Sequence, residues 1–133
     1  MADQKGISLM IQNDAAGCTA AADWSFLVRI MDNLMQNALY YAASRIGITA
    51  AKAGDHIAIS VADDGPGISE DIILHVFDRF YKGRKDGTGL GLFIVKELTA
   101  AMNCEVSVVS DPEGVDEHNE YRTVFTLKLP PEQ

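Results

Sequence analysis

Cysteine is scarce in this chain of 133 residues. Cys18 and Cys104 match no metal or redox spacing and are too few for a disulfide framework, so a reducing compartment is the simpler reading. Cationic residues are also few, 11 against 19 acids for a formal charge of −8, which disfavours non-specific attraction to nucleic acid or an anionic membrane. No apolar run approaches the ~18 residues of a membrane span, and the amino terminus lacks the basic-then-apolar pattern of a secretion signal. Repeats and low-complexity segments are missing too. The expectation is a soluble, cytoplasmic chain forming one domain over 1–133, with the 47% hydrophobic and 23% charged residues of a globular protein.

What is present concentrates between Asp63 and Leu92. Gly65 and Gly67 in DDGPGI open this stretch, and Gly87, Gly89 and Gly91 in GTGLGL close it. Glycines at alternate positions let backbone N–H groups approach a ligand with no Cβ in the way. Between them, Arg79, Lys82, Arg84 and Lys85 gather four of the eleven basic residues. An acidic protein that collects cations between two glycine clusters points to a small anion, under a hinged flap.

Around this stretch the pattern predicts mixed α/β structure. Ile7, Leu9 and Ile11 alternate as a short strand over 7–11. Asp23 is placed to cap a helix whose apolar face runs through Leu27, Ile30, Met31, Leu34, Ala38 and Tyr41, with Asn33, Asn37 and Tyr41 on a stripe beside it. A hairpin follows, turning at 53–55 between Ile46, Ile48 and Ile57, Ile59, Val61, and it delivers Asp63 at a strand end. Ser69 starts a short helix over 71–77, and 78–86 reads as loop. Phe93, Ile94, Leu98, Ala101 and Met102 describe a second amphipathic helix ending near Asn103. Strands at 106–110 and 123–129 flank a loop with five acids in ten residues.

Several of these residues suit nucleotide chemistry. A carboxylate at a strand end beside bare backbone, as at Asp63, can accept a hydrogen bond from an exocyclic amine, although an ordinary Asp-Gly turn reads the same. GTGLGL opening a helix puts unpaired N–H groups and the positive dipole end where a phosphate could sit. It is neither a Walker loop, with no GK[ST], nor a dinucleotide fingerprint. Asn33 and Asn37, at i and i+4, place two amide oxygens where Mg²⁺ could bind directly or through water. Tyr41, one turn on, can pack on a planar base or on the edge of the core.

The order of these features resembles one family. DWSFLVRIMDNLMQNALYY looks like the N box, DDGPGI the G1 box, FDRFYKG the F box and GTGLGL the G2 box of the catalytic and ATP-binding domain of sensor histidine kinases, in the GHKL superfamily. The resemblance covers 23–92, about half the chain. It implies the Bergerat fold, a two-layer α/β sandwich with a mixed, mostly antiparallel sheet and helices on one face. It implies ATP and Mg²⁺ as cofactors, Asp63 as acceptor for the adenine amine, and Asn37 as main Mg²⁺ ligand with Asn33 assisting. Tyr41 and Thr123 become neighbours of the adenine, and Gly65 and Gly67 let the nucleotide approach. Gly87, Thr88, Gly89, Leu90 and Gly91 form the hinge and phosphate-facing end of a lid anchored by Phe77 and Phe80.

Two positions qualify the resemblance. Chaperone, topoisomerase and serine-kinase branches resemble one another in having Glu four residues before the metal-binding Asn, a general base toward water or hydroxyl. Here that position is Asn33, which argues for transfer to an acceptor that is already nucleophilic. Lys or Arg usually stands three residues after the metal-binding Asn; here it is Tyr40, leaving Lys82, Arg84 or Lys85 to meet the phosphates. None of His56, His75 or His118 stands in a phosphoacceptor pattern. The expectation is therefore the catalytic half of a longer kinase, with the dimerisation and histidine-phosphotransfer helices and the response regulator as partners, no nucleic acid, and a monomeric isolated domain. The alternatives are a serine kinase or ATPase of the same superfamily, disfavoured by Asn33, and a nucleotide-free docking module, suggested by Tyr40.

Overall fold

The computed structural model describes residues 6–15, 22–80, 90–115 and 120–130. Asp23 does cap the first helix, α1 (Trp24–Tyr41), by accepting the Phe26 amide at 3.1 Å. This satisfies one of the amides that a helix start leaves without an internal partner. Along α1, Ile30, Leu34 and Ala38 recur every four residues and are buried.

The strands are β1 (Ser8–Asp14), β2 (Arg45–Ala53), β3 (His56–Asp63), β4 (Glu105–Ser110) and β5 (Thr123–Leu129). They form one sheet in the order β1-β2-β3-β5-β4. Only β1 and β2 are parallel; the other three pairings are antiparallel, so the sheet is mixed and mostly antiparallel as expected. Gly54, at φ 63, and Asp55 close the β2–β3 hairpin. Along β5, Thr123, Phe125, Leu127 and Leu129 are buried while Lys128 is exposed, the alternation of a strand with one face on the core.

Among the described residues there are two further helices, α2 (Glu70–Ile73) and α3 (Gly91–Ala101). Ile30 and Leu34 of α1, Leu92 and Val95 of α3, and Ile46, Val61, Phe125 and Leu127 of the sheet belong to one apolar cluster. Complete burial of each large side chain contributes about 1.5–3 kcal/mol, which fixes the helix layer against the sheet. The end of α3 is a Schellman motif. Asn103 takes φ 54, its amide bonds to Ala100 O, and the Cys104 amide reaches Thr99 O.

Three details differ from the sequence reading. β1 extends to Asp14, and of Ile7, Leu9 and Ile11 only Ile7, just before it, is buried; Ile11 is 70% exposed. β1 is an edge strand, so backbone pairing with β2 rather than burial sets its length. The helix expected over 71–77 stops at Ile73, because the amides of His75, Val76 and Asp78 bond three residues back, in tighter turns. On α3 the buried line is Leu92, Val95 and Thr99, while Phe93, Ile94 and Leu98 are half-buried. Apolar residues occupy most of that helix's circumference, so periodicity alone leaves its inward face ambiguous.

Candidate functional site

The second half of α1 carries Asn33, Asn37 and Tyr41 on one stripe, about 12 Å long at 1.5 Å per residue. Asn33 and Asn37 line a cleft of about 420 Å³ with Gln36, Tyr40, Leu90, Gly91, Leu92 and Ile94. Its other wall is therefore the start of α3. Leu90 is the residue before that helix and its own side chain makes no cap, and the first turn with the positive end of the dipole lies at the cleft wall. Asn33 is close enough that a Cβ on Gly91 would lie 3.6 Å from its Oδ1. Two amide side chains lining a cleft whose other wall is a positive helix end suit a phosphate carrying a hard cation. Among the described residues no group of three or more His, Cys, Asp or Glu forms a metal site, so phosphate oxygens and water would have to supply the remaining Mg²⁺ ligands.

A second cluster lies at the end of β3. Asp63 is 3% exposed and stands opposite Thr123 of β5, which is 1% exposed and in turn stands opposite Ser110 of β4. Asp63 Oδ1 accepts the Gly65 amide at 2.9 Å, and the Asp63 carbonyl accepts the Arg122 amide at 2.9 Å. A Cβ on Gly65 would overlap the Tyr41 carbonyl and come within 2.9 Å of Asp63 Oδ1. The bareness of residue 65 thus brings the end of α1 against the end of β3. Gly67 adopts φ 86, which favours glycine, and packs on Pro112 and Ser110.

Tyr41 joins the two clusters. Its carbonyl lies on Gly65, and Asn37, one turn back, lines the cleft. Its ring packs edge-on against Tyr40, centroids 4.8 Å apart, and Tyr40 is 56% exposed at the cleft. Phe77 packs edge-on against Phe125 at 6.0 Å, tying the segment after α2 to the core. Phe80 is instead exposed, at φ 63, with the Arg79 guanidinium 4.7 Å from its ring. Lys82, Arg84, Lys85, Gly87, Thr88, Gly89 and His118 lie outside the described residues.

Three residues around the site were not singled out by sequence. Asp64 Oδ1 accepts the amides of Ala43, Ser44 and Arg45 at 2.9, 2.9 and 3.0 Å, and its Oδ2 accepts the Ser44 hydroxyl at 2.7 Å. Partial burial pushes the Asp64 carboxyl up, but these bonds outweigh it and hold its pKa below the ordinary value. Arg122 bonds to Pro112 O through Nε at 2.9 Å and to Asp64 O through Nη1 at 3.4 Å. Ser110 joins Ile68, Arg122 and Thr123. Only the doubled acid of DDGPG hinted at any of this.

The fold is an α/β domain with a cleft between the second half of α1 and the start of α3. Residues 22–133 match the family described as histidine kinase-, DNA gyrase B- and HSP90-like ATPase, and the chain belongs to it. Similar proteins include the signal transduction histidine-protein kinase AfsQ2 of Streptomyces coelicolor, 41% identical over 119 residues, covering 86% of this chain and 21% of AfsQ2. The sensor histidine kinase YcbM of Bacillus subtilis is 38% identical over 133 residues, covering 94% of this chain and 40% of YcbM. The chain thus spans well under half the length of either relative. Full-length ShkA, solved in complex with AMPPNP, superposes at a TM-score of 0.82 with 29% identity, over 98% of this chain and 27% of ShkA. The catalytic domain of histidine kinase ThkA gives 0.82 at 23% identity, over 97% of this chain and 82% of that one, and shows the shared fold. Among the described residues no helix is long and apolar enough to cross a membrane.

Proposed function

We propose that this chain binds Mg-ATP along α1 and, within a longer kinase, donates the γ-phosphate to a histidine of a dimerisation domain, from which it passes to a response regulator. The observation that carries this reading is the cleft that Asn33 and Asn37 line together with the start of α3, joined through Tyr41 to the buried Asp63. Asp63 accepts the adenine amine, with Tyr41 and Thr123 beside the base and Gly65 and Gly67 shaping the loop next to it. Asn37 and Asn33 hold Mg²⁺ jointly with the phosphates. Leu90 and Gly91 offer amides to the phosphates. Gly87, Thr88 and Gly89 belong to the lid, with Phe80 at its edge, and Lys82, Arg84 and Lys85 neutralise phosphate charge in place of a cation at Tyr40.

Bound Mg²⁺ supplies charge neutralisation. The chain's own groups position the γ-phosphorus for in-line attack by an imidazole nitrogen; the new N–P bond forms as the bond to the β,γ-bridging oxygen breaks and ADP leaves. Asn33 cannot accept a proton at neutral pH, so water is not activated at that position. The test pairs phosphate release with labelling. The chain alone with Mg-ATP should release phosphate slowly, and the full-length protein should take up acid-labile γ-phosphate on histidine. Rapid phosphate release by the isolated chain would instead support an ATPase.

A further inference from the structure

Ser110 closes a run of hydrogen bonds at the buried end of the sheet. Its Oγ lies 3.0 Å from the Arg122 carbonyl oxygen, 2.8 Å from Thr123 Oγ1 and 2.7 Å from the Ile68 amide nitrogen. A carbonyl oxygen only accepts and an amide N–H only donates. The single Ser110 proton therefore goes to Arg122, and the bond between the two hydroxyls takes its proton from Thr123. Thr123 is left with lone pairs alone to offer elsewhere. Its cross-strand neighbour, the Asp63 carboxylate, also only accepts.

We infer that Ser110 is a specificity-determining positioning residue: by drawing the Thr123 proton away, it makes the base end of the site accept-only, and so selects 6-aminopurine over 6-oxopurine nucleotides. This rests on the nucleotide reading above. A 6-amino group turns N–H donors toward the Asp63–Thr123 row, whereas a 6-oxo group turns lone pairs toward lone pairs. Mismatched polar groups in a buried site are rejected strongly, because neither partner can be satisfied by water. Without the Ser110 hydroxyl, the Thr123 proton is free to turn toward the ligand and serve a 6-oxo group. A merely structural Ser110 would weaken both nucleotides alike.

The experiment is calorimetric titration of wild type, Ser110→Ala and Ser110→Thr with AMPPNP and with its inosine counterpart, in Mg²⁺. Wild type should prefer AMPPNP by at least about tenfold; that ratio should fall about fivefold or more in Ser110→Ala and recover in Ser110→Thr. A ratio unchanged by Ser110→Ala, whether or not both affinities drop, would overturn the inference and leave the nucleotide reading standing. So would a wild type that binds both equally. Wild type binding neither would overturn the nucleotide reading itself, and the inference with it. If Ser110→Ala fails to fold, Thr123→Val decides, since it removes the acceptor and leaves the Ser110 bonds to Ile68 and Arg122 in place; an unchanged ratio there would also overturn the inference.

Discussion

Asp64 holds Ser44 twice, its Oδ1 accepting the Ser44 amide at 2.9 Å and its Oδ2 the Ser44 hydroxyl at 2.7 Å. With the Ala43 and Arg45 amides on the same carboxylate, the turn after α1 is tied to the loop after β3. Asp63 and Tyr41 are the last residues of those two elements. The bond pair therefore sets the distance between them.

Asp64→Ala should cost about 1–3 kcal/mol in chemical denaturation, kept low because water can reach part of this site. A carboxyl whose pKa is depressed by folding stabilises above its unfolded value, near pH 3.9, and that contribution fades as pH falls through the lower folded value. The stability gap between wild type and Asp64→Ala should thus be level from about pH 5 to 8 and shrink below about pH 4. A gap that widens in acid would refute the assignment.

Gly65→Ala should destabilise the chain by about 2 kcal/mol or more, since the new Cβ meets the Tyr41 backbone carbonyl and not a side chain that can swing aside. Gly91→Ala is the control. Its Cβ would sit at an ordinary 3.6 Å from Asn33 Oδ1, so denaturation should show little or no loss of stability.

Tyr40→Lys places a cation where the resemblance to the kinase family leads one to expect Lys or Arg. Tyr40 is half exposed at the cleft and packs edge-on against Tyr41, a contact that the substitution removes. If lid cations already serve the phosphates, AMPPNP affinity should change by less than about threefold. A gain of about tenfold or more would mean that the wild-type site lacks a charge it needs.

Much of this arrangement was legible in the chain itself, for identifiable reasons. The cap at Asp23, the four-residue recurrence of Ile30, Leu34 and Ala38, and the alternation of Phe125, Leu127 and Leu129 are local patterns set by helix and strand periods. Motif order implied that Asn33, Asn37 and Gly91 serve one ligand, and in the structure all three line one cleft. What stayed hidden depends on contacts between distant segments. Ser44 and Asp64 are 20 residues apart, Ile68 and Ser110 42, and Asp64 and Arg122 58, and no period links them. The inward face of α3 was hidden for a different reason, because Leu92 and Val95 are no more apolar than Phe93 and Ile94 beside them. Gly65 suggests space for a ligand from sequence, whereas what the structure shows is its close approach to the Tyr41 carbonyl.

The most direct test of the account is calorimetric titration of the chain with AMPPNP, with and without Mg²⁺, beside Asp63→Ala. The account predicts micromolar-range binding, on the order of −8 kcal/mol, that Mg²⁺ strengthens and Asp63→Ala abolishes. Absence of binding in the folded wild type, or equal binding by Asp63→Ala, would contradict it.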